Sequence, residues 1–145
     1  MKHFDSLVIG TGQSGPSLAA RLAGAGKKVA IVERKIFGGT CVNTGCTPTK
    51  TLVASARVAY MARRGSDFGV DIGGPISVDM KKVKQRKDEI VRQSNQGVEN
   101  WLKNTENLEV FEGHARFKDT RVVTVGEEML EADQIFINVG GRAVL

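Results

Sequence analysis

The two cysteines of this 145-residue chain, Cys41 and Cys46, are separated by only four residues in the stretch GGTCVNTGCTPTK, residues 38–50. Two thiols so close together in a sequence can form a reversible disulfide, or they can supply two ligands to a metal ion. In a reducing cytosol, close cysteines are more often catalytic or metal-binding than structural. The rest of the chain has to distinguish these two kinds of chemistry.

A zinc site would need two further ligands beside the cysteines. The candidates are His3, His114 and scattered acids, and none of them stands at metal-ligand spacing from the cysteines. The sequence therefore favours the redox disulfide and predicts no metal site. His3 precedes the first predicted strand and is expected to be exposed.

The residues that follow Cys46, TPTKTLVASARVAYMARR, predict a helix because their apolar members recur at steps of three and four. If this helix begins near Gly45, Cys46 lies at or just inside its N-terminus, where the helix dipole stabilises a thiolate. Lys50 follows one helical turn later, so its ammonium can point to the same side as the sulfur. The spacing thus predicts Cys46 as the more acidic thiol.

A glycine-rich turn follows the first predicted strand, FDSLVIG, residues 4–10. In the turn GTGQSG, Gly10 permits a tight bend, Gly12 lets backbone approach a pyrophosphate, and Gly15 lets the next helix pack closely on the strand. Glu33 ends the second predicted strand about 20 residues further on, where an acid can accept hydrogen bonds from both hydroxyls of an adenosine ribose. Together these residues predict a dinucleotide site.

The order of the elements predicts one α/β domain over residues 1–145. The strand, helix and strand at its start predict a parallel sheet covered on both faces. A long polar helix is expected from about residue 79 to residue 103, with Trp101 packing in the core. Five short β-prone runs follow, LEVFEG, HARFKD, RVVTVG, EMLEAD and QIFINVG. We therefore predict a Rossmann-like domain with a small β-rich segment.

The composition excludes several classes of partner. The net charge is +5, and much of the excess lies in residues 79–93. We interpret this run as a solvated helix face, because a nucleic-acid surface should also bring stacking aromatic residues or a binding motif. No apolar run approaches the roughly 18 residues of a membrane span. The start of the chain lacks the features of a signal peptide, so we predict a cytoplasmic location.

These motifs resemble the N-terminal FAD domain of the flavoprotein disulfide reductases, the class I pyridine nucleotide-disulfide oxidoreductases related to glutathione reductase, dihydrolipoamide dehydrogenase and mercuric reductase. The resemblance rests on GTGQSG, Glu33, GGTCVNTGCTPTK, EGHARF and INVGGR, in the family's order. It implies FAD as the cofactor. It also implies that Cys46 faces the flavin as the charge-transfer thiol, that Cys41 meets the substrate as the interchange thiol, and that Lys50 lies near the flavin N5.

The resemblance also implies a set of cofactor-binding residues, and that the main chain around His114 and Ala115 approaches the adenine. The set is Gly10, Gly12, Gly15, Glu33, Gly39, Thr40, His114, Ala115 and Gly140. Two residues near the end depart from the family's pattern: Val139 stands where a threonine is usual, and Ala143 where a proline is expected.

The resemblance covers only the family's first domain, so the chain is expected to be a fragment or a natural truncation. It implies a parent homodimer that uses NADH or NADPH, bound by a domain absent here, to reduce a small-molecule disulfide or a thiol-bound metal ion. Alone, the chain is expected to be inactive. Two alternatives stay open: a stand-alone dinucleotide-binding module without turnover, and a thiol carrier or metal-binding module.

Overall fold

The computed structural model describes residues 1–141 as six strands and four α-helices. The predicted positions of the first two strands, of the glycine-loop helix and of the two long helices are confirmed. In chain order the elements are β1 (Lys2–Ile9), α1 (Gly15–Gly24), β2 (Val29–Glu33), α2 (Gly39–Asn43), α3 (Cys46–Arg63), a 3₁₀ turn (Gly65–Phe68), α4 (Met80–Lys103), β3 (Leu108–Glu112), β4 (Ala115–Asp119), β5 (Val122–Val125) and β6 (Glu128–Ile137). Ala143 lies outside the described residues.

The strands form one sheet in the order β3-β2-β1-β6-β5-β4. Strands β3, β2, β1 and β6 are parallel, while β5 and β4 extend the sheet antiparallel beyond β6. The predicted α/β class is therefore confirmed, with a mixed sheet that is mostly parallel. Of the five predicted β-prone runs, those that form β4 and β5 make up the antiparallel side of the sheet, whereas β3 and the end of β6 join its parallel part.

Apolar side chains are buried on both faces of the sheet, as its parallel part predicts. Successive residues of a strand point to opposite faces, and β1 accordingly sends Val8 to one cluster and Leu7 and Ile9 to another. The first cluster adds residues of α1 and α4, including Ala19 and Leu102. The second is completed by residues of β2, β3, β5 and β6, and its buried members all belong to strands of the sheet.

The sequence predicted two short strands, EMLEAD and QIFINVG, in the region of β6, and this prediction is wrong. Strand β6 is one strand of ten residues, Glu128–Ile137. Its first half pairs with β5 on one side, and almost its whole length pairs with β1 on the other. Because β1 holds the strand along its length, Asp133 is accommodated as an exposed residue and does not end it.

The prediction that Trp101 packs in the core is also wrong. The exposed fraction of Trp101 is 46%, whereas its neighbour Leu102 is completely buried. Adjacent residues of an α-helix point about 100° apart, so only one of the two can face the sheet. His3 is exposed as expected, but it lies within β1 and does not precede it.

Helix α3 packs against α4 but leaves most of its apolar residues in contact with solvent. Thr51 is its one buried residue. Its large apolar side chains are 40–70% exposed: Leu52, Val53, Val58, Tyr60 and Met61. Within residues 1–141, no helix is both long and apolar enough to span a membrane.

The turn between β1 and α1 is so tightly packed that two of its glycines have no space for a side chain. A Cβ atom added to Gly15 would lie 2.1 Å from the carbonyl oxygen of Gly10, and one added to Gly10 would lie 2.3 Å from the carbonyl oxygen of Asn138. Both distances are far below van der Waals contact. The predicted reason for Gly15, close packing of the helix on the strand, is thus confirmed.

We predict that Gly15→Ala lowers the free energy of unfolding by about 2 kcal/mol or more, because the new methyl group overlaps backbone that cannot move freely. The matched control is Gly97→Ala on α4, where an added Cβ meets nothing within 4 Å. That variant should gain up to about 1 kcal/mol from helix propensity. Urea unfolding followed by circular dichroism measures both, and equal stabilities for the two variants would contradict the packing described here.

Candidate functional site

The two cysteines lie on consecutive helices that meet at a sharp turn. Cys41 is in the middle of the five-residue helix α2, and Cys46 is the first residue of α3, after Gly45 as the N-cap. The predicted position of Cys46 at a helix N-terminus is therefore confirmed. No acidic residue lies in the first turn of α3, so nothing there offsets the positive end of the helix dipole.

The two thiols interact directly. Both are free, Cys46 exposed and Cys41 half-buried. A hydrogen bond between their side chains raises the pKa of Cys41, and burial and the charge of Cys46 raise that pKa further. A hydrogen bond with the backbone N–H of Cys46, and after it the charge of Lys50, act in the opposite direction on the same pKa. The three predicted catalytic residues, Cys41, Cys46 and Lys50, thus lie on α2 and the start of α3.

The helix that carries Cys41 begins in contact with the glycine loop. The N–H of Gly38 donates to the carbonyl oxygen of Thr11 at 3.1 Å. Gly39 has a φ of +59°, and a Cβ atom there would lie 2.8 Å from the Cα of Gly12. Position 39 requires glycine for two reasons: its φ is positive, and there is no space for a Cβ atom. The two sequence motifs therefore form one site.

Glu33 holds the glycine loop in place. Its Oε2 accepts hydrogen bonds from the N–H of Thr11 at 3.0 Å and from the Thr11 hydroxyl at 2.6 Å. Its Oε1 accepts one from the N–H of Lys35 at 2.9 Å. A carboxylate has about four lone-pair sites, so acceptor capacity for a ribose hydroxyl remains. Sequence reasoning assigned Glu33 to the ribose alone and missed this structural contribution.

Asn138 is a site residue that sequence reasoning missed. Its N–H donates to the carbonyl of Ile9 at 2.8 Å, and its Oδ1 accepts from the hydroxyl of Ser14 at 2.8 Å. Its Nδ2 is buried and has no hydrogen-bond partner within residues 1–141. The signal was available as a lone amide between the apolar residues Ile137 and Val139, at the end of the last strand.

The space above the glycine loop fits an anionic dinucleotide. A Cβ atom on Gly12 would touch only the Nδ2 of Asn138, at 3.8 Å, so the fold itself does not need glycine there. The hydroxyl of the N-cap residue Ser14 donates a hydrogen bond to Asn138. It therefore does not cap α1, whose first N–H groups have no side-chain acceptor. Free N–H groups, the helix dipole and an unpaired amide donor together suit a diphosphate.

The other predicted cofactor residues lie at the same edge of the sheet. The strands β3, β2, β1 and β6 are in parallel register, so their carboxyl ends adjoin. The exposed His114 and half-buried Ala115 follow β3, and the exposed Gly140 follows β6. Thr40 lies beside Cys41 in α2. Ligands of open α/β sheets bind at this edge. Within residues 1–141, no cluster of three or more His, Cys, Asp or Glu side chains could hold a metal ion.

Comparisons with known proteins find relatives among dihydrolipoyl dehydrogenases and a flavoprotein disulfide reductase. A dihydrolipoyl dehydrogenase of Acholeplasma laidlawii is 36% identical over 144 residues, which are 99% of this chain and 43% of that protein. One of Bacillus subtilis (strain 168) is 36% identical over 142 residues, 94% of this chain and 31% of the relative. The Cu(II) complex of the HOCl-induced flavoprotein disulfide reductase RclA from Escherichia coli has a TM-score of 0.80 at 31% identity, over 100% of this chain and 30% of that one.

The chain thus spans 30–43% of the length of these relatives and is homologous to their N-terminal part. Residues 4–145 match the family model described as pyridine nucleotide-disulphide oxidoreductase. On this match, and on the joined glycine and cysteine loops, the chain belongs to the pyridine nucleotide-disulphide oxidoreductase family.

Proposed function

We propose that this chain is the FAD-binding part of an NAD(P)H-dependent flavoprotein oxidoreductase, and that Cys41 and Cys46 are its redox-active disulfide. The parent protein would reduce a small-molecule disulfide or a thiol-bound metal ion. The observation that carries the proposal is the contact between Gly39 and Gly12, which joins the thiol pair to the glycine loop. A nucleotide-binding module without redox chemistry does not require this contact.

The residues that would hold FAD are those at the carboxyl edge of the sheet. In the turn of Gly10, Gly12 and Gly15, the open space at Gly12 suits the diphosphate, and the open acceptor site of Glu33 suits the adenosine ribose. The remaining positions line the same edge: Gly39, Thr40, the main chain at His114 and Ala115, and Gly140. When bound, FAD supplies a group that exchanges electron pairs with a nicotinamide and with a dithiol.

The chain's own residues account for thiol–disulfide exchange. A Cys41 thiolate attacks one sulfur of the substrate disulfide, forms a mixed disulfide and releases the first substrate thiolate. Cys46, as a thiolate at the N-terminus of α3, then attacks the sulfur of Cys41, which releases the second substrate thiolate and leaves the Cys41–Cys46 disulfide. Because the pKa of Cys41 is raised, the first step needs a base to remove its proton.

Several properties of the whole protein follow as proposals from the resemblance. The base for Cys41 would come from a histidine of a partner subunit, and the choice between NADH and NADPH would lie in the family's second dinucleotide domain. The protein would act in the cytoplasm. By the same resemblance, Lys50 would lie near the flavin N5, and none of these assignments changes the roles proposed for Cys41 and Cys46.

The first prediction from this proposal concerns FAD. Gly12→Val should weaken FAD binding by about tenfold or more, because a side chain there fills the space for the diphosphate and costs at least about 1.4 kcal/mol of binding energy. The control is Gly24→Val, at the far end of α1, where an added Cβ meets nothing within 4 Å. Fluorescence titration with FAD measures both, and similar dissociation constants for the two variants would count against a nucleotide site at this loop.

The second prediction concerns the thiols. Cys41 and Cys46 should form a disulfide reversibly in glutathione buffers, and alkylation followed by mass spectrometry should show Cys46 reacting at lower pH than Cys41. In Cys46→Ala, the alkylation profile of Cys41 should move to lower pH, because the hydrogen bond that raises the pKa of Cys41 is gone. Thiols that stay free under mild oxidants, or a Cys41 that reacts first, would contradict the assignment.

A further inference from the structure

We propose that Asn95, on α4, is a positioning residue for the thiol pair: its side chain holds the segment that carries Cys41 at a fixed place relative to α3, and so sets the stability of the Cys41–Cys46 disulfide. The inference rests on the proposed redox function of the pair. It adds a residue 52 positions from Asn43 in sequence, which no motif of the cysteine stretch contains.

The side chain of Asn95 reaches the cysteine segment at two points. Its Nδ2 donates to the carbonyl oxygen of Phe37 at 2.7 Å and to the Oδ1 of Asn43 at 3.1 Å. The Nδ2 of Asn43 in turn donates to the carbonyl oxygens of Phe37 at 2.7 Å and Gly39 at 2.9 Å. Cys41 lies between these anchored residues. The network therefore fixes both ends of the short helix α2 to one half-buried amide of α4.

The same helix α4 is also tied to the helix that begins with Cys46. The guanidinium of Arg86 donates to the carbonyl oxygen of Thr51 at 3.1 Å and to the hydroxyl of Ser55 at 3.4 Å, both on α3. Arg86 and Asn95 are nine residues apart, roughly 13 Å along a helix that rises 1.5 Å per residue. One rigid element thus holds the supports of both sulfurs.

A fixed separation matters because a disulfide is geometrically narrow. Bonding requires the two Cβ atoms to come within roughly 3.5–4.5 Å, in a limited range of dihedral angles. Oxidation by glutathione disulfide converts two cysteine thiols and one glutathione disulfide into the protein disulfide and two glutathione thiols. Its equilibrium constant measures how well the fold confines the two sulfurs. Asn95 does not contact either sulfur, so it would act on this constant only through α2.

The test measures that equilibrium constant in glutathione buffers for the whole chain and its variants. Asn95→Ala removes the amide, and Asn95→Leu removes its hydrogen-bond donors while keeping a branched side chain on a residue type that favours helix more than asparagine does. The control is Asn100→Ala on the same helix, whose exposed side chain makes no hydrogen bond within residues 1–141 and whose backbone carbonyl still accepts from Asn104. Circular dichroism establishes that each variant is folded.

Both Asn95 variants should form the disulfide with an equilibrium constant about tenfold lower than the wild-type chain, which corresponds to a rise of roughly 30 mV in the potential of this two-electron couple. Asn100→Ala should match the wild type. Folded Asn95 variants with an unchanged constant would overturn the inference, as would an equal change in Asn100→Ala.

A second readout separates this inference from the proposed redox function. In the fully reduced protein, Cys41 should be alkylated several-fold faster in Asn95→Leu than in the wild type, because α2 is no longer held. This rate does not depend on disulfide formation. A wild-type chain that forms no disulfide would refute the redox function alone, whereas an unchanged alkylation rate in Asn95→Leu would refute the positioning role.

Discussion

The site depends on the close approach of two backbone segments, the glycine loop after β1 and the start of the helix that carries Cys41. The backbone of Gly39 comes so near the Cα of Gly12 that a Cβ atom on Gly39 would lie only 2.8 Å from it. A hydrogen bond from Gly38 to Thr11 fixes the approach. A larger residue at position 39 would push the start of α2 away from the glycine loop.

The polar side chains around this contact form hydrogen bonds within the protein that hold the loop in place. Glu33 accepts both hydrogen bonds from Thr11, and Asn138 joins the end of β6 to the first strand and to Ser14. Both still keep capacity for a ligand: Glu33 as an acceptor, and Asn138 as a buried donor with no partner among residues 1–141. A loop whose internal hydrogen bonds are already made loses little conformational freedom when it binds a ligand.

Local features of this site were predictable from sequence, and long-range ones were not. The glycines of the turn, Glu33 and the start of α3 at Cys46 follow from spacing and helix signals within about 20 residues. The hydrogen bond between Ser14 and Asn138 joins residues 124 positions apart, and local spacing in the sequence cannot predict such a contact. The prediction that Trp101 packs in the core was wrong for another reason. Two large apolar residues stood side by side on a helix, and only packing decided that Leu102 turns inward.

The central claim is that the cysteine helix and the glycine loop form one site, and the FAD dissociation constant of Gly39→Ala tests it most directly. Its added methyl group would lie 2.8 Å from the Cα of Gly12, in a backbone conformation that disfavours alanine. The account predicts a chain that remains folded and binds FAD about tenfold or more weakly, a loss of roughly 1.4 kcal/mol. A folded Gly39→Ala variant that binds FAD as tightly as the wild-type chain would contradict it.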